Sequence, residues 1–357
     1  MSGLLLVFLV VLIFVVLYQV SRSSEIVAQI QGEEAFDKKR NKILGYSMLV
    51  LFAAFMIGIV WCHQYMMPLM GPEAASDHGQ QYDFMFEVTL WVTGTVFLLT
   101  QFLLFWFSFK YRRVGNKIPH FFAHSTKLEL IWTSIPAIAM AVLVAIGLKA
   151  WFTMTDKAPK GAMQIEIIGK QFNWISRYPG ADMELGKKYY TNINEKDNIL
   201  GLDWKDKATK DDIIIPNGEL RFVKGKPVEL IIGSRDVIHD VGLSHFRMKM
   251  DAVPGISSRL WFTPLFTTEE MKSKTGNPNF VYELSCDQMC GKGHYSMRAV
   301  IIVETQAEHN AWLAKQQPYY AQNHPDEFPA PAATEPVKTD STKQITMNST
   351  KQITMNN

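Results

Sequence analysis

The chain has 357 residues, 48% of them hydrophobic and 20% charged, and its 36 Lys and Arg residues nearly balance 34 Asp and Glu residues. This balance lacks the basic excess that is typical of nucleic-acid-binding proteins. With three cysteines, the chain is also not a disulfide-dense secreted scaffold. The hydrophobic residues concentrate in the first 152 positions, which indicates a membrane protein with a soluble C-terminal half.

Four nearly uncharged runs in the N-terminal half are each long enough to cross a bilayer, which takes roughly 20 helical residues. The runs cover residues 3–20, 43–62, 88–109 and 130–148. We therefore predict two transmembrane hairpins, over 1–62 and over 88–152. A cleaved signal peptide is the alternative for the first run, but that run lacks a basic start and a small-residue cleavage site.

The loops between these runs differ in charge. Segments 21–42 and 110–127 each contain five Lys or Arg residues, among them Lys117, whereas segment 63–87 contains none. Because basic loops stay on the cytoplasmic side, segment 63–87 and both termini are expected outside. The soluble C-terminal half is therefore predicted to be extracytoplasmic.

After residue 152 the pattern changes to short β-rich runs separated by turn signals such as Pro179-Gly180. Strands at this spacing predict an all-β sandwich or barrel, which we place at 153–315. A charged stretch with little pattern, at 181–212, is expected to be an insertion or a surface loop. The seven predicted strands cover residues 164–169, 172–178, 219–223, 228–232, 259–263, 280–284 and 299–304.

The C-terminal segment 316–357 is polar and contains several Pro and Ala residues. Its octapeptide S-T-K-Q-I-T-M-N at 341–348 is repeated at 349–356, which is too short for a repeat fold. We expect this tail to be disordered, and no function is assigned to it.

The segment C-D-Q-M-C-G-K-G-H-Y-S-M, residues 286–297, places two thiols, an imidazole and a thioether directly after a predicted strand. Soft sulfur and imidazole ligands suit copper. Two thiolates on one tight loop can bridge two copper ions, and each ion then needs an imidazole of its own. His294 supplies one imidazole, and either His239 or His245 supplies the other. The spacing does not choose between these two histidines.

Two other interpretations of Cys286 and Cys290 stay open at this point. In an extracytoplasmic domain the two cysteines could form a disulfide, which would leave His294 and Met297 unexplained. Cysteine and histidine also bind zinc, although methionine is a poor zinc ligand. The complete donor set favours dinuclear copper over both alternatives.

At these residues the chain resembles subunit II of the heme–copper cytochrome c oxidases, over roughly residues 88–312. The resemblance implies a transmembrane hairpin followed by a cupredoxin-like, Greek-key β domain that holds the dinuclear copper A centre. The sequence D-V-I-H at 236–239 matches the family pattern, so the resemblance selects His239 over His245. The implied copper ligands are Cys286 and Cys290 as bridging thiolates, His239 and His294 as imidazoles, Met297 as the thioether, and Gln288 through its backbone carbonyl.

The resemblance implies a subunit of a cytochrome c oxidase. Its copper would accept electrons from a cytochrome c, or a cytochrome c domain, and pass them to heme in subunit I, which with CuB reduces O2 to water and drives proton translocation. The chain has no C-x-x-C-H sequence, so a separate protein is expected to deliver the electrons. Other expected partners are further oxidase subunits and the bilayer of a bacterial-type inner (cell) membrane, with the copper domain in the periplasm. Nucleic acid is not expected.

The same resemblance gives roles to three further residues. The sequence H-S-T-K-L-E-L-I-W at 124–132 resembles the start of the family's second hairpin helix, where Glu129 would lie at the mouth of a proton path into subunit I. In G-K-Q-F-N-W at 169–174 the family has an aromatic cluster that takes up electrons, and Phe172 and Trp174 are the candidates here.

The chain departs from the family pattern in four places. Gln288 replaces the usual glutamate, whose side chain helps to hold magnesium at the interface with subunit I, so we expect a weakened magnesium site or none. Phe172 replaces the usual tryptophan of the aromatic cluster. The positive charge of Arg235 weakens the negative charge expected at Asp236, where an acidic docking surface is usual. The hairpin over 1–62 has no family counterpart, and contact with another subunit is its expected use.

Two other functions also stay open. A quinol oxidase subunit II keeps this fold without copper, but the retained sulfur and imidazole residues argue against it. A membrane-tethered copper-delivery or assembly protein would instead need exposed, exchangeable ligands.

Overall fold

The structure, a computed structural model, describes residues 2–114, 120 and 123–327. Lys117 of the second basic loop lies outside the described residues, as do residues 328–357 with the duplicated octapeptide. Expectations for those positions therefore stay predictions.

Among the described residues of the N-terminal half there are four long helices: α1 (Ser2–Gln31), α2 (Glu33–Met66), α3 (Asp77–Lys110) and α4 (Thr126–Thr155). Each contains a stretch that is long and apolar enough to cross a membrane. Their large apolar side chains are mostly exposed in the isolated chain, as expected for surfaces that lipid or other subunits cover. The prediction of N-terminal helices with apolar spans is confirmed, and α1 and α2 extend into the polar segment between the first two runs.

Ten strands and three short α-helices follow in the described part of the chain. The strands are β1 (Met163–Lys170), β2 (Asn173–Tyr178), β3 (Ile213–Ile215), β4 (Leu220–Val223), β5 (Val228–Ser234), β6 (His239–Leu243), β7 (Met248–Ala252), β8 (Ser258–Phe262), β9 (Tyr282–Cys286) and β10 (Arg298–Glu304). They form two five-stranded sheets with the orders β3-β2-β1-β5-β8 and β4-β10-β9-β6-β7. The helices are α5 (Thr268–Thr275), α6 (Gln306–Leu313) and α7 (Tyr319–Asn323).

Aromatic side chains fill the space between the two sheets. The ring of Phe222, in β4 of the second sheet, lies 5.5 Å from that of Phe262, in β8 of the first sheet. Phe246, which follows β6, lies 4.9 Å from Phe262 and 4.9 Å from Tyr282 of β9, measured between ring centroids. All four side chains are fully buried, and such aromatic contacts dominate the energetics of small cores. The predicted all-β, cupredoxin-like domain is confirmed.

The sequence pattern predicts seven of the ten strands and misses β3, β6 and β7. The sequences H-D-V-G-L of β6 and M-K-M-D-A of β7 contain Asp, Gly and Lys, which are depleted in strands. Antiparallel pairing from His239↔Ala252 to Leu243↔Met248 fixes their conformation instead. Because pairing overrides this weak local preference, His239 is a strand residue and does not lie in a loop.

The loop after β6 ties the β domain to the start of α3. The hydroxyl of Ser76 accepts the N–H of Gly79 at 2.9 Å, which caps the helix, and donates to the carbonyl of Phe246 at 2.6 Å. From the same loop, Nε of Arg247 donates to Oδ1 of Asp83 at 2.9 Å. The loop that follows the His239 strand is thus held by hydrogen bonds to the start of a membrane helix.

Among the described residues, a second compact unit consists of residues 177–214 and 315–327. It contains the predicted insertion at 181–212. Within it, Nη2 of Arg177 lies 2.5 Å from Oδ2 of Asp212, and both side chains are almost completely buried. A buried ion pair of this kind is costly to break, because the remaining charge would have no partner.

Part of the predicted disordered tail is ordered, which corrects that expectation. Residues Tyr319–Asn323 form α7, and Tyr319 and Tyr320 are buried. The ring of Trp204 lies 5.2 Å from that of Tyr320, and the rings of Tyr320 and His324 stack at 4.1 Å. The polar average composition of the tail conceals these few aromatic residues, whose burial is enough to order the segment.

Candidate metal centre

Two neighbouring strands of the second sheet bring the first two candidate ligands together. His239 begins β6 and Cys286 ends β9, and these strands are paired with Val241 opposite Cys286. Nδ1 of His239 lies 3.8 Å from Sγ of Cys286. His239 is fully buried and Cys286 is 6% exposed, so the rigid sheet sets this half of the site.

The loop from Cys286 to Met297 supplies the other donors. Sγ of Cys290 lies 3.7 Å from Sγ of Cys286, 3.8 Å from Nδ1 of His294 and 3.8 Å from Sδ of Met297. The carbonyl oxygen of Gln288 lies 3.2 Å from Sγ of Cys286. We refer to His239, Cys286, Cys290, His294 and Met297 as the sulfur cluster.

Backbone hydrogen bonds close this loop on itself. The N–H of Cys286 donates to the carbonyl of Met297 at 3.1 Å, which joins the two ends of the loop. The N–H of His294 donates to the carbonyl of Gly291 at 3.1 Å. The ligand loop is therefore held by its own backbone as well as by the sheet.

The cysteines are free thiols, which contradicts the disulfide interpretation. Cys286 and Cys290 are both unpaired in the structure, and their sulfur atoms are 3.7 Å apart, whereas a disulfide needs about 2.05 Å. The third cysteine, Cys62, is also free and lies exposed on α2. Two buried thiols at this separation leave room for a cation between them.

A carboxylate that the sequence analysis did not connect with the ligands orients His239. Oδ1 of Asp236 lies 2.8 Å from Nε2 of His239, and the N–H of Gln171 donates to Oδ2 of Asp236 at 2.7 Å. The Gln171 side chain in turn donates to the carbonyl of Cys290 at 2.7 Å. A carboxylate behind a metal-binding histidine fixes the tautomer and leaves the other ring nitrogen free for the metal. The signal in the sequence is the D-x-x-H spacing.

Electrostatics follow from burial and from these contacts. Burial acts to raise the pKa of Asp236, but hydrogen bonds from the Gln171 N–H and from His239 hold it below its ordinary value. Burial raises the pKa of the Cys290 thiol to about 11, and its hydrogen bond with Cys286 acts in the same direction. A thiol must lose its proton to bind a metal, so a cation at this site competes with protons.

The structure does not bring His245 to the sulfur cluster. Its ring packs against Phe280 and Tyr282, with centroid distances of 5.0 and 5.6 Å. Burial, and next the positive charge of Arg247, lower the pKa of His245. His245 therefore lies in the loop after β6 and packs against aromatic side chains of the β domain.

The space around His239 is closed by small and aromatic residues. A Cβ atom at Gly169 would lie 2.7 Å from Cδ2 of His239, so only glycine fits at this position of β1. The ring of Trp174 is completely buried and lies 5.9 Å from the His239 ring. The environment of the ring allows it little movement.

Phe172 and Glu129 occupy different surroundings. Phe172 is 39% exposed and its ring covers the ligand loop. A Cβ atom at Gly293 would collide with the ring at 2.5 Å, and one at Gly291 would be in tight contact with it at 3.1 Å. Glu129 lies exposed in the first turn of α4, where Oε1 accepts the N–H of Ser125 at 3.4 Å. Neither residue belongs to the sulfur cluster.

The donor set indicates which metal fits. The ligand atoms of His239, Cys286 and Cys290 lie within 4.8 Å of one another, and all three residues are buried. Thiolate and thioether are soft ligands that select copper, and imidazole suits it as well. Structural zinc sites use cysteine and histidine without a thioether, so Met297 favours copper over zinc.

Two family profiles match the chain. The profile described as cytochrome c oxidase subunit II, transmembrane domain, matches residues 61–150, and that described as cytochrome c oxidase subunit II, periplasmic domain, matches residues 163–305. The alternative cytochrome c oxidase subunit 2 of Bradyrhizobium diazoefficiens is 33% identical over 65% of this chain and 79% of its own length. The cytochrome c oxidase subunit 2 of Thermostichus vulcanus is 27% identical over 69% of this chain and 78% of its own.

A solved structure also aligns with the soluble half. The periplasmic domain of subunit II of cytochrome oxidase of Bradyrhizobium japonicum has 23% identity and a TM-score of 0.29, and the alignment covers 45% of this chain and 95% of that one. Two successive family profiles and a relative aligned over most of its length agree on one assignment. Membership also implies copper binding, for which the buried His/Cys/Cys group offers ligands. This chain, a membrane protein with an extracytoplasmic β domain, belongs to the cytochrome c oxidase subunit II family.

Proposed function

We propose that this chain holds a dinuclear copper A centre and is the electron-accepting subunit of a heme–copper oxidase. The observation that carries the proposal is the pairing of thiols with imidazoles. Cys286 lies 3.8 Å from Nδ1 of His239, Cys290 lies 3.8 Å from Nδ1 of His294, and the two thiols are 3.7 Å apart without a disulfide. A pair of copper ions requires two shared sulfur ligands and one imidazole for each ion.

The residues that would hold the copper follow from this pairing. Cys286 and Cys290 would bridge the two ions, while His239 and His294 would each bind one. Met297 and the Gln288 carbonyl would complete the two sites as weaker ligands. When bound, copper would supply one-electron redox chemistry.

The chain's own residues would keep the site's geometry constant. His239 and Cys286 are fixed by paired strands, and the ligand loop is closed by its backbone hydrogen bonds. Asp236 holds the imidazole of His239 from behind. A site that cannot relax needs little reorganisation when its charge changes, and this favours fast electron transfer in both directions.

The electron donor in this proposal is a cytochrome c or a cytochrome c domain, and the acceptor is heme in subunit I. Phe172 is the aromatic residue suited to meet the donor, since it is partly exposed and covers the ligand loop. Trp174 is completely buried beside His239, so it would act behind the surface. We place Glu129 at the mouth of a proton path into subunit I, and the membrane is the inner membrane of a bacterial-type cell.

Burial of four of the five side chains of the sulfur cluster, all except the half-buried His294, separates this proposal from copper delivery. A delivery protein must exchange its metal with a partner, which needs accessible ligands. Here Cys286, Cys290 and Met297 are 6%, 4% and 1% exposed, and His239 is not exposed at all. A copper-free quinol oxidase subunit would have no use for these buried donors.

The test is the copper content and the EPR spectrum of the full chain purified in detergent. We expect two copper ions per chain and a spectrum in which one unpaired electron is shared by both. Cys290→Ser and His239→Ala should lose this spectrum, while His245→Ala should keep it. Retention of two copper ions and an unchanged spectrum in Cys290→Ser, or loss of copper in His245→Ala alone, would refute the ligand set.

A further inference from the structure

The ends of α2 and α3 that lie far from the β domain meet on the cytoplasmic side of the membrane. α3 begins beside the extracytoplasmic β domain, since Ser76 donates to the carbonyl of Phe246, and its 34 residues span about 50 Å. This length exceeds the hydrocarbon core of about 30 Å, so Lys110 at its end is cytoplasmic. The ring of Tyr46 in α2 lies 5.3 Å from that of Phe109, which places the first half of α2 beside this end of α3.

Positive charge accumulates at this junction. Segment 38–42 of α2 contains four Lys and Arg residues, segment 110–113 contains three, and neither contains Asp or Glu. Among the described side chains of these two segments, Arg40 is the one that pairs with a carboxylate, at 2.8 Å from Asp37. Like charges on neighbouring helix ends repel one another, and a bound anion would offset this repulsion. We refer to the other six residues as the basic cluster, which consists of Lys38, Lys39, Lys42, Lys110, Arg112 and Arg113.

Arg112 is the member of the basic cluster that both helices hold in place. Its Cζ atom lies 4.2 Å from the ring centroid of Phe109 and 5.5 Å from that of Tyr46. A Cβ atom at Gly45 would lie 2.4 Å from Cδ of Arg112 and 2.8 Å from its Nε. The arginine side chain can therefore lie flat on α2 because this position is glycine. A guanidinium that is fixed before a ligand arrives loses little conformational freedom on binding.

The hydrogen-bonding capacity of Arg112 is only partly used. A guanidinium has five N–H donors, and within the described part of the chain Arg112 makes one hydrogen bond, from Nη1 to the carbonyl of Phe109. Its Nε is buried without a partner there, and the side chain as a whole is half-buried. The remaining donors suit a phosphate, which a guanidinium contacts through two parallel N–H groups.

The surface beside the basic cluster is apolar. Ile43 and Leu44, which directly follow Lys42, are 58% and 50% exposed, and Trp106 of α3 is 38% exposed. The Trp106 ring lies 6.0 Å from that of Phe109, which contacts Arg112. An amphiphile with its negative headgroup on the basic cluster would place its acyl chains on these side chains. A free anion would leave them uncovered.

We propose that the basic cluster and the apolar side chains beside it bind one anionic phospholipid of the cytoplasmic leaflet, with its phosphate on Arg112. Basic pockets between transmembrane helices on this side of a membrane bind anionic headgroups. α2 belongs to the hairpin without a family counterpart, and α3 belongs to the hairpin typical of the family. The lipid would therefore join the two hairpins. The inference goes beyond the proposed electron-transfer function and does not depend on it.

The test uses the full chain in detergent, with phosphatidylglycerol added and the bound lipid counted by native mass spectrometry. We expect one phosphatidylglycerol per chain at concentrations where phosphatidylcholine of the same chain length is not retained. Arg112→Gln should weaken binding by about fivefold or more. Arg22→Gln is the matched control, because this exposed arginine near the same membrane surface is already paired with Glu25 at 3.1 Å, and it should change the affinity by less than about twofold.

Two variants that keep every charge test the geometry. In Gly45→Ala the methyl group displaces the Arg112 side chain, and Arg112→Lys keeps the charge without the planar guanidinium. Each should weaken binding by about threefold or more, while circular dichroism shows unchanged helix content. Affinities in both variants equal to that of the unmodified chain would overturn the proposal, because the attraction would then be a general property of the charged surface. Displacement of the lipid by excess inorganic phosphate would overturn it as well, because the site would then take a free anion.

Discussion

Oδ1 of Asp236 lies 2.8 Å from Nε2 of His239, on the opposite side of the ring from the Nδ1 atom that faces Cys286. This contact fixes which nitrogen is available to a metal. Carboxylates in this position are worth about 10- to 100-fold in metal affinity. We therefore expect Asp236→Asn to fold and to lose copper to a chelator at least tenfold more readily than the unmodified chain. The exposed Asp326 offers a control, Asp326→Asn, and equal copper retention in both variants would contradict this role of Asp236.

The glycine beside His239 leads to a second prediction. A methyl group at Gly169 would press on the buried imidazole, since its Cβ would lie 2.7 Å from Cδ2. Overpacking of this kind costs about 1–3 kcal/mol, so Gly169→Ala should lower the melting temperature by about 3–10 °C and reduce copper retention. In Gly233→Ala the nearest atom is the mobile end of Ile168, at 3.2 Å, and a smaller effect is expected. A Gly169→Ala protein with unchanged melting and copper content would show that the ring has room to move.

Phe172 is predicted to affect electron uptake without affecting the metal. Its ring is partly exposed above Gly291 and Gly293, and removal of an aromatic contact from an interface commonly costs more than 1 kcal/mol. Phe172→Ala should therefore slow electron transfer from reduced cytochrome c by about fivefold or more, with an unchanged EPR spectrum. Tyr190→Ala removes an aromatic ring that is 86% exposed elsewhere and serves as the comparison. If both variants transfer electrons at the unmodified rate, the donor docks at another surface.

Glu129 gives a prediction for the assembled oxidase. Its carboxylate lies in the first turn of α4, outside the sulfur cluster. If it serves a proton path, Glu129→Gln should slow oxygen consumption and proton uptake while the copper spectrum stays the same. The nearby Lys127→Gln changes a charge in the same turn of the helix and should have a smaller effect. Normal proton uptake in Glu129→Gln would mean that Glu129 only caps the start of α4 and takes no part in a proton path.

The half-buried histidine His245 predicts a pH dependence of stability. Burial and the charge of Arg247 hold its pKa below the ordinary value of 6.5, although Glu283 acts in the opposite direction. Below pH 6.5 the unfolded chain therefore binds a proton that the folded chain resists, and stability is lost as the pH falls. Burial raises the pKa of Asp212 to about 6, and this carboxyl favours the folded chain as the pH falls. The contribution of His245 is therefore read as a difference: from pH 7 to pH 5 the melting temperature of the unmodified chain should fall relative to that of His245→Phe. An equally steep slope in His245→Phe would assign the effect to other groups, and the exposed His63 provides the control substitution.

The sequence predicts the parts of the fold that depend on local patterns. Uncharged runs of membrane-spanning length identify the four helices, and strands such as β5, with Val228, Leu230 and Ile232 buried, have the composition that strands prefer. β6 and β7 are different, because pairing with neighbours compensates for their Asp, Gly and Lys residues. Long-range pairing of this kind leaves little trace in a single sequence.

The candidate site divides in the same way. The spacing within residues 286–297 predicts that Cys286, Cys290, His294 and Met297 share a loop, and the structure brings them together. The choice of His239 over His245 needs the family resemblance, because 47 residues separate His239 from Cys286 along the chain. The D-x-x-H spacing hints at the positioning role of Asp236, but the role itself depends on the orientation of one imidazole ring, which the structure provides.

The alternation of His239 with Asp240, and of Cys286 with Asp287, makes the pairing of β6 with β9 intolerant of insertions and deletions. One added residue in β6 would rotate the following side chains to the opposite side of the sheet. A carboxylate would then enter the pocket lined by thiols, and an imidazole would leave it for the other face of the sheet. Substitutions can adjust either neighbourhood separately, but the length of this strand constrains both at once.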